Sequence, residues 1–447
     1  MPAGYERARS FLEGLLHERS LAEMNLQLEP KRRRSSPKLP GLFCLGMNSL
    51  EQRWELTQAG REQRETLADT KSMEHKDYYR HNIENFIGTV KLPVGLAGPL
   101  RVNGIFAQGE YYVPLATTEA ALVASYHRGA QLITDAGGCT AMLLNEGVSR
   151  APGFVFDNLR QVGLFVAWTL TEFETFQHVA KSTTTHGKLA DMKPVVEGNH
   201  VYLVFEFTTG DAAGQNMVTI ATEAICEHIK INSPIKPDCC FVEANLSGDK
   251  KATAQSFAHV RGKKVTSEVV LPADLVEQGL NTAPQRIVDY WRISTIGSVL
   301  SSAIGVQGHY ANGLAALFLA CGQDTACVAE SAVGVTRAEL TRQGDLYVSV
   351  TLPSLMVGTV GGGTSLPSQK SCLEIMGLYG PGKAAALAEV CASVCLAGEL
   401  SIAGALCTGD FTRAHRCLAR RRKNPRLRPQ PVREAASYSS AASPSTE

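Results

Sequence analysis

VYLVFEFTTGDAAGQNMVTIATEAI, Val201 to Ile225, reads as a strand, a turn and a helix in immediate succession. Val201, Leu203, Phe205 and Phe207 alternate with Tyr202, Val204, Glu206 and Thr208, the period of a half-buried strand. The loop Gly210-Asp211-Ala212-Ala213-Gly214 turns the chain, and Met217, Ile220, Ala221, Ala224 and Ile225 then recur at helical spacing. The mixed texture begins after Asn85, where Gly88, Pro93, Gly95, Gly98 and Pro99 punctuate the chain. Upstream, Tyr5 to Leu28 reads as one charged amphipathic helix that ends at Pro30 and the basic run Lys31 to Arg34. Ser35, Ser36, Pro37 and Pro40 read as a linker, and Glu51 to Lys76 as polar helix. Downstream, Ala384 to Cys407 is rich in Ala and Leu and long enough for a buried helix. Pro425 and Pro429 break any helix beyond Arg420, and the Ser/Ala-rich end from Ala435 to Glu447 reads as disordered.

Bulk properties narrow the function classes. Of 447 residues, 44% are apolar and 19% charged, an ordinary globular balance that supplies a sizeable core. A net charge of +1 argues against a dedicated nucleic-acid binder. No near-continuous apolar stretch of about 20 residues reads as a membrane span, and Met1 to Ser20 lacks the apolar region of a signal peptide. The 12 cysteines form no CxxC pair and no Cys/His cluster with zinc spacing. These features point to a cytoplasmic protein without disulfides or a metal site. No GxGxxG, GxSxG or HExxH occurs. Gly377 to Lys383 gives GxxxxGK, but Ala384 stands where a phosphate-binding loop needs Ser or Thr.

Four polar islands interrupt apolar sequence. Thr117-Thr118-Glu119 opens an apolar helix read as Ala120 to Ile133, with Thr118 as N-cap and Glu119 in the first turn. Ser247-Gly248-Asp249-Lys250-Lys251 reads as an exposed turn. Asp324, in Ala320-Cys321-Gly322-Gln323-Asp324, ends an apolar run as a cap or a site residue. His415 lies in Thr412-Arg413-Ala414-His415-Arg416. Each has a plain structural reading when taken alone.

Taken together and in order, the islands resemble the hydroxymethylglutaryl-CoA reductase family. Glu119 in PLATTEAALVAS, Lys250 in GDKKA, Asp324 in ACGQD and His415 match its four catalytic positions. Between them lie ENFIGTVKLPVGLAGPL, GDAAGQNM, HYANGLAALFLACGQD and GTVGGGT. The resemblance covers roughly Glu51 to Arg420, closer to the biosynthetic class of eukaryotes and archaea. It implies an α+β fold in which a small ferredoxin-like dinucleotide-binding domain, residues 153–240, is inserted into a larger substrate- and CoA-binding domain, residues 88–152 and 241–420. Residues 41–87 would form a helical N-terminal domain, 1–40 a basic, partly disordered extension and 421–447 a disordered tail.

The resemblance also implies a reaction. A CoA thioester would be reduced twice by NADPH, giving mevalonate and free CoA. Lys250 would stabilise charge on the carbonyl oxygen. Glu119, its pKa raised by burial, would give the product oxygen its proton. Asp324 would sit between them, and His415 would protonate the leaving thiolate. Arg150, Asp249 and Lys251 would hold the hydroxymethylglutaryl group, with Asn312 an active-site amide. Ser125 and Arg128 would face CoA. Asp211, Ala212, Ala213, Gly214, Gln215, Asn216 and Met217 would receive the dinucleotide at a helix N-terminus. Active sites between subunits imply a homodimer or a higher homo-oligomer.

This chain departs from the family at several positions. Ala213 and Gln215 replace Met in the dinucleotide loop. The Ser-Arg pair that contacts the NADP phosphate is replaced within Ser182 to Lys188, which leaves NADH open as the cofactor. Glu243 replaces a Ser near the substrate, and Ala419-Arg420-Arg421 replaces the Asn-Arg pair and the phosphorylated Ser. Two alternatives therefore stand beside the reductase: NAD-linked oxidation of mevalonate in catabolism, and a non-catalytic CoA-binding relative.

Overall fold

The computed structural model describes residues 4–30, 38–57 and 59–410. The stretch that opened the sequence reading folds as read, with a strand at His200–Thr208 and a helix at Gln215–Asn232. Val201, Leu203, Phe205 and Phe207 are all buried. The helix turns a slightly different face inward: Val218, Ala221, Ile225 and Ile229 are buried, while Ile220 is exposed.

The chain divides into two compact units, Met1–Val90 and Lys91–Glu447. The first unit is helical. Tyr5 to Leu28 is two helices, Tyr5–Glu18 and Leu21–Leu28, rather than one. The break lies at Ser20, whose hydroxyl accepts the Glu23 N–H while the Glu23 carboxylate accepts the Ser20 N–H. This reciprocal cap is a strong helix start, and it wins over continuation of the first helix. Neither helix buries a residue. The polar helical region is likewise divided, into Met47–Thr57, Arg61–Leu67 and Thr70–Glu74. Leu45, Leu50 and Phe86 form its small core. Beside them the fully buried Arg53 donates to the carbonyls of Pro40, Gly41, Cys44 and Phe86.

The second unit is α+β. Its strands are β1 (Val94–Gly104), β2 (Gln108–Ala116), β3 (Cys139–Arg150), β4 (Gly153–Val155), β5 (Lys188–Glu197), β6 (His200–Thr208), β7 (Cys239–Phe241), β8 (Gly262–Leu271), β9 (Gly305–Val306), β10 (Gly334–Leu340) and β11 (Leu346–Leu355). The main path runs β7-β4-β6-β3-β8-β11-β10-β9, with β5 beside β6, β1 beside β3 and β2 beside β1. Long β3 joins two sets of strands: Thr140 to Gly147 pair with β8, and Val148 to Arg150 pair with β6. Arg150 therefore sits at the end of the strand on which the sheet changes partners.

The Ala384–Thr408 helix packs on β3, β8 and β11 and on the Leu122–Asp135 helix. It is long and apolar enough to cross a membrane, contrary to the reading that no stretch qualified, but most of it is buried inside this unit. Each buried Leu or Val there contributes on the order of 1.5–3 kcal/mol by burial. Against that apolar background Glu389 is fully buried. Its carboxylate accepts the N–H groups of Ile105, Phe106, Ala107 and Leu143, at 3.2, 2.8, 2.7 and 3.3 Å. It thereby ties the β1–β2 turn and β3 to the helix. Gly104 makes room for it, because a Cβ there would lie 2.2 Å from the Glu389 Oε2.

Glu389→Leu keeps the bulk and strands four N–H donors. Urea denaturation should show a loss of at least about 3 kcal/mol, because each buried orphan donor costs on the order of 1–3 kcal/mol. A loss below about 1 kcal/mol would mean that the carboxylate does not carry this junction.

Candidate active site

Lys250 lies in the tight turn after β7, with its backbone in the left-handed region at φ 55°. Its ammonium is 2.8 Å from the Asp324 carboxylate. Asp324 follows the Tyr310–Cys321 helix, and its other oxygen caps the next turn by accepting the Ala326 N–H. The reading of Asp324 as a cap therefore holds, and the same carboxylate pairs with Lys250. The hydrogen bond and charge of Asp324 hold the Lys250 pKa above its ordinary value, against the opposing effect of burial.

Behind Lys250 runs a buried chain of charges. Arg150 donates to Asp249 at 2.9 Å and to Glu243 at 3.3 Å. Arg261 donates to the other Asp249 oxygen and to the Ser149 carbonyl. Burial pushes the Asp249 carboxyl up, but Arg261 and Arg150 outweigh it and leave it below the usual carboxylate range. The Arg150 Nε is buried and has no hydrogen-bond partner among the described residues. Lys251 is exposed and folds back onto the Asp249 carbonyl at 2.8 Å. Sequence reasoning missed Arg261 and Glu330. Glu330 was legible only as one acid inside the apolar run from Ala326 to Val335.

The turn Asp211 to Gly214 adjoins this network. The Arg150 guanidinium reaches the Gln215 carbonyl at 3.4 Å, and the Gln215 amide donates to the Cys327 sulfur at 2.7 Å. Gly358, in the GTVGGGT segment, lies flush against the turn: a Cβ there would come 2.5 Å from the Ala213 nitrogen. Gln323 holds Gly358 by its N–H and its carbonyl, at 2.8 and 2.9 Å. The Asp211 carboxylate accepts the N–H groups of Gly382 and Ala384 at the start of the long buried helix. The GxxxxGK loop thus seats an anion at a helix N-terminus, and that anion is the chain's own Asp211. The loop Ser182 to Lys188 touches the same site through the Thr184 hydroxyl, 3.0 Å from the Met217 sulfur.

Glu119 lies elsewhere. Its helix starts at Leu122, later than read, with Ala121 in the left-handed region as the residue before it. Thr118 makes no cap; the Thr117 hydroxyl instead accepts the Glu119 N–H at 3.0 Å. Glu119 therefore precedes the helix, and its carboxylate is exposed rather than in the first turn. It lines a cavity of about 530 Å³ together with Ser125, Arg128, His309 and Asn312. Ser125 and Arg128 both bond the Ser401 hydroxyl, and Arg128 also donates to the Ser401 carbonyl. Burial lowers the Arg128 pKa. Glu399 fixes the entry to the Asn312 helix by accepting the N–H groups of Gly308 and His309.

The predicted residues thus fall into two groups. Lys250, Asp324, Asp249, Arg150 and the Asp211–Met217 segment adjoin one another. Glu119, Asn312, Ser125 and Arg128 share the cavity. Among the described residues no hydrogen bond or ion pair joins Glu119 to Lys250 or Asp324. The 12-residue Tyr310–Cys321 helix has Asn312 near its start and Asp324 beyond its end, and the helical stretch from Asn312 to Cys321 alone rises roughly 13–14 Å. His415 lies outside the described residues.

Comparison with known proteins places this architecture. The family model for hydroxymethylglutaryl-coenzyme A reductase matches residues 49–420. The 3-hydroxy-3-methylglutaryl-coenzyme A reductase of Pyrococcus horikoshii is 45% identical over 359 residues, covering 78% of this chain and 86% of its own. That of Methanocaldococcus jannaschii is 43% identical over 356 residues, covering 78% and 87%. The class II reductase of Streptococcus pneumoniae, solved bound to NADPH, superposes with a TM-score of 0.60 at 20% identity, over 80% of this chain and 96% of its own. That last likeness is one of fold alone. The extent and identity of the sequence match are decisive: the chain belongs to the hydroxymethylglutaryl-coenzyme A reductase family.

Proposed function

We propose that the protein reduces 3-hydroxy-3-methylglutaryl-CoA to mevalonate and CoA with NADPH, in the cytosol, for isoprenoid synthesis. The observation that carries this reading is the Lys250–Asp324 pair at 2.8 Å beside the turn Asp211–Met217, in a chain of this family. The residues fit a dinucleotide. Gly214 and Gly358 let the turn pack closely on Thr209 and on the GTVGGGT segment, and a helix begins at Gln215 to meet a pyrophosphate. Residues 153–240 are the proposed dinucleotide-binding insertion.

The bound nicotinamide supplies a hydride in each of two reductions. Each reduction places negative charge on the carbonyl oxygen, and the Lys250 ammonium is the group positioned to stabilise it. Asp324 keeps that ammonium protonated and aimed. Glu119 gives the proton to the product oxygen, and His415 protonates the CoA thiolate. Arg150 and Lys251 hold the substrate carboxylate, while Asp249 orients Arg150. Asn312 orients the acyl group, and Ser125 and Arg128 face the CoA portion.

We also propose a homodimer in which Glu119 and Asn312 of one subunit complete the Lys250–Asp324 site of the other. The separation of the two groups and the exposure of Glu119 support it. A second copy also explains Ile293, Ile296, Val299 and Leu300, an exposed apolar stripe on the helix whose Tyr290 lines the Glu119 cavity.

The direct test follows absorbance at 340 nm with hydroxymethylglutaryl-CoA and NADPH, then with NADH. Two NADPH consumed per mevalonate formed is the expected result. A strong preference for NADH would favour mevalonate catabolism, and no turnover with CoA still bound would leave a non-catalytic relative. Lys250→Ala should lower turnover by at least about 100-fold with the fold retained, the scale for removing a charge-stabilising donor. Asp324→Asn should move the alkaline limb of the pH–rate profile to lower pH. The sign follows from the raised Lys250 pKa, because the active cation is lost at high pH and is lost earlier without its carboxylate partner. An unmoved alkaline limb would remove Lys250 from that limb.

A further inference from the structure

We infer that Glu330 is a positioning residue for the reduction: its buried carboxylate fixes the Lys250 backbone in the strained conformation that delivers the ammonium to Asp324. This rests on the proposed catalytic role of Lys250.

Lys250 has a Cβ and yet sits at φ 55°. That conformation is unfavourable for a residue other than glycine, so it persists only where the surroundings over-determine it. Within the turn, the Lys251 N–H bonds the Gly248 carbonyl at 3.2 Å, which tightens the loop but does not hold Lys250 itself. The Lys250 N–H instead reaches outside the turn, to the Glu330 Oε1 at 3.2 Å.

Asp324 and Glu330 belong to one short segment, a single turn at Thr325–Cys327 running into the Val328–Ser331 helix. The carboxylate at one end of the segment takes the Lys250 ammonium, and the carboxylate at the other takes its backbone N–H. Lys250 is therefore gripped at both ends by the same element. Loosening the backbone grip would let the long side chain swing away from Asp324 and so lose the ion pair, although both charged groups remain.

Glu330 is 1% exposed. Its Oε1 lies 3.5 Å from the Arg261 Nε, and its Oε2 has no partner. A buried carboxylate with one free oxygen is costly, so its retention calls for a role. Burial raises its pKa, with Arg261 opposing. The feature that the Lys250 N–H uses is an acceptor oxygen at the right reach rather than a net charge.

That distinction is testable. Glu330→Gln keeps the reach and an acceptor oxygen without charge; Glu330→Asp keeps the charge and withdraws the acceptor by one methylene; Glu330→Ala removes both. Steady-state kinetics with hydroxymethylglutaryl-CoA and NADPH should show kcat lowered by about 30-fold or more in the Asp and Ala variants, with both KM values within about 3-fold of wild type, because loss confined to kcat marks a transition-state effect. Glu330→Gln should recover most of that loss. The Asp-against-Gln comparison stands even if Glu330→Ala fails to fold. The inference is overturned if Gln is as slow as Asp, if the loss appears in KM alone, or if all folded variants turn over at the wild-type rate. Lys250→Ala, measured in parallel, separates the two ideas: wild-type turnover there would remove the catalytic role of Lys250 and the clamp with it, whereas a dead Lys250→Ala beside an active Glu330→Asp would sink the clamp alone.

Discussion

The helix Ala384–Thr408 anchors the second unit, and it does so through polar groups on an otherwise apolar surface. At its start, the first N–H groups bind the Asp211 carboxylate and so seat the turn before the Gln215–Asn232 helix. One and a half turns in, Glu389 gathers four backbone donors from the β1–β2 turn and β3. Ten residues further, Glu399 takes the N–H groups of Gly308 and His309 at the entry to the Asn312 helix, and Ser401 bonds Ser125 and Arg128. A buried carboxylate without donors costs several kcal/mol, whereas one with three or four charge-assisted hydrogen bonds is retained. The helix thus sets the relative placement of both groups of site residues in one element.

The Lys250 side of the site follows a second rule, alternation of charge. Glu243, Arg150, Asp249, Arg261 and Glu330 form a buried chain in which each guanidinium lies between carboxylates. Removing either arginine would strip a carboxylate neighbour of its ion pair, which is more costly than never having built the pair.

Much of this was legible in the sequence, for physical reasons that differ by residue. The β6 strand and the Gln215–Asn232 helix were legible because their apolar periods are set by burial of one face. Asp324 and Lys250 were legible as polar islands in apolar surroundings, and their pairing came only from the family resemblance. Glu330 was not, because its partner is a backbone N–H eighty residues away in sequence. Thr118 looked like an N-cap, but the left-handed Ala121 moved the helix start past it. The break at Ser20 was written in the Ser-x-x-Glu spacing and was outweighed by the longer amphipathic pattern. The GxxxxGK loop was rightly set aside as a nucleotide motif, yet its geometry is used, with an aspartate in the phosphate's place.

The central claim is that two distant groups of residues meet across a subunit boundary. Mixing two inactive variants tests it most directly: Glu119→Gln and Lys250→Ala, unfolded and refolded together. A site shared between subunits of a dimer predicts recovery of about one quarter of wild-type activity, since half of the dimers are mixed and each carries one intact site. No recovery above the two variants refolded separately, with mixed dimers demonstrably formed, would contradict the account and place all catalytic residues within one chain.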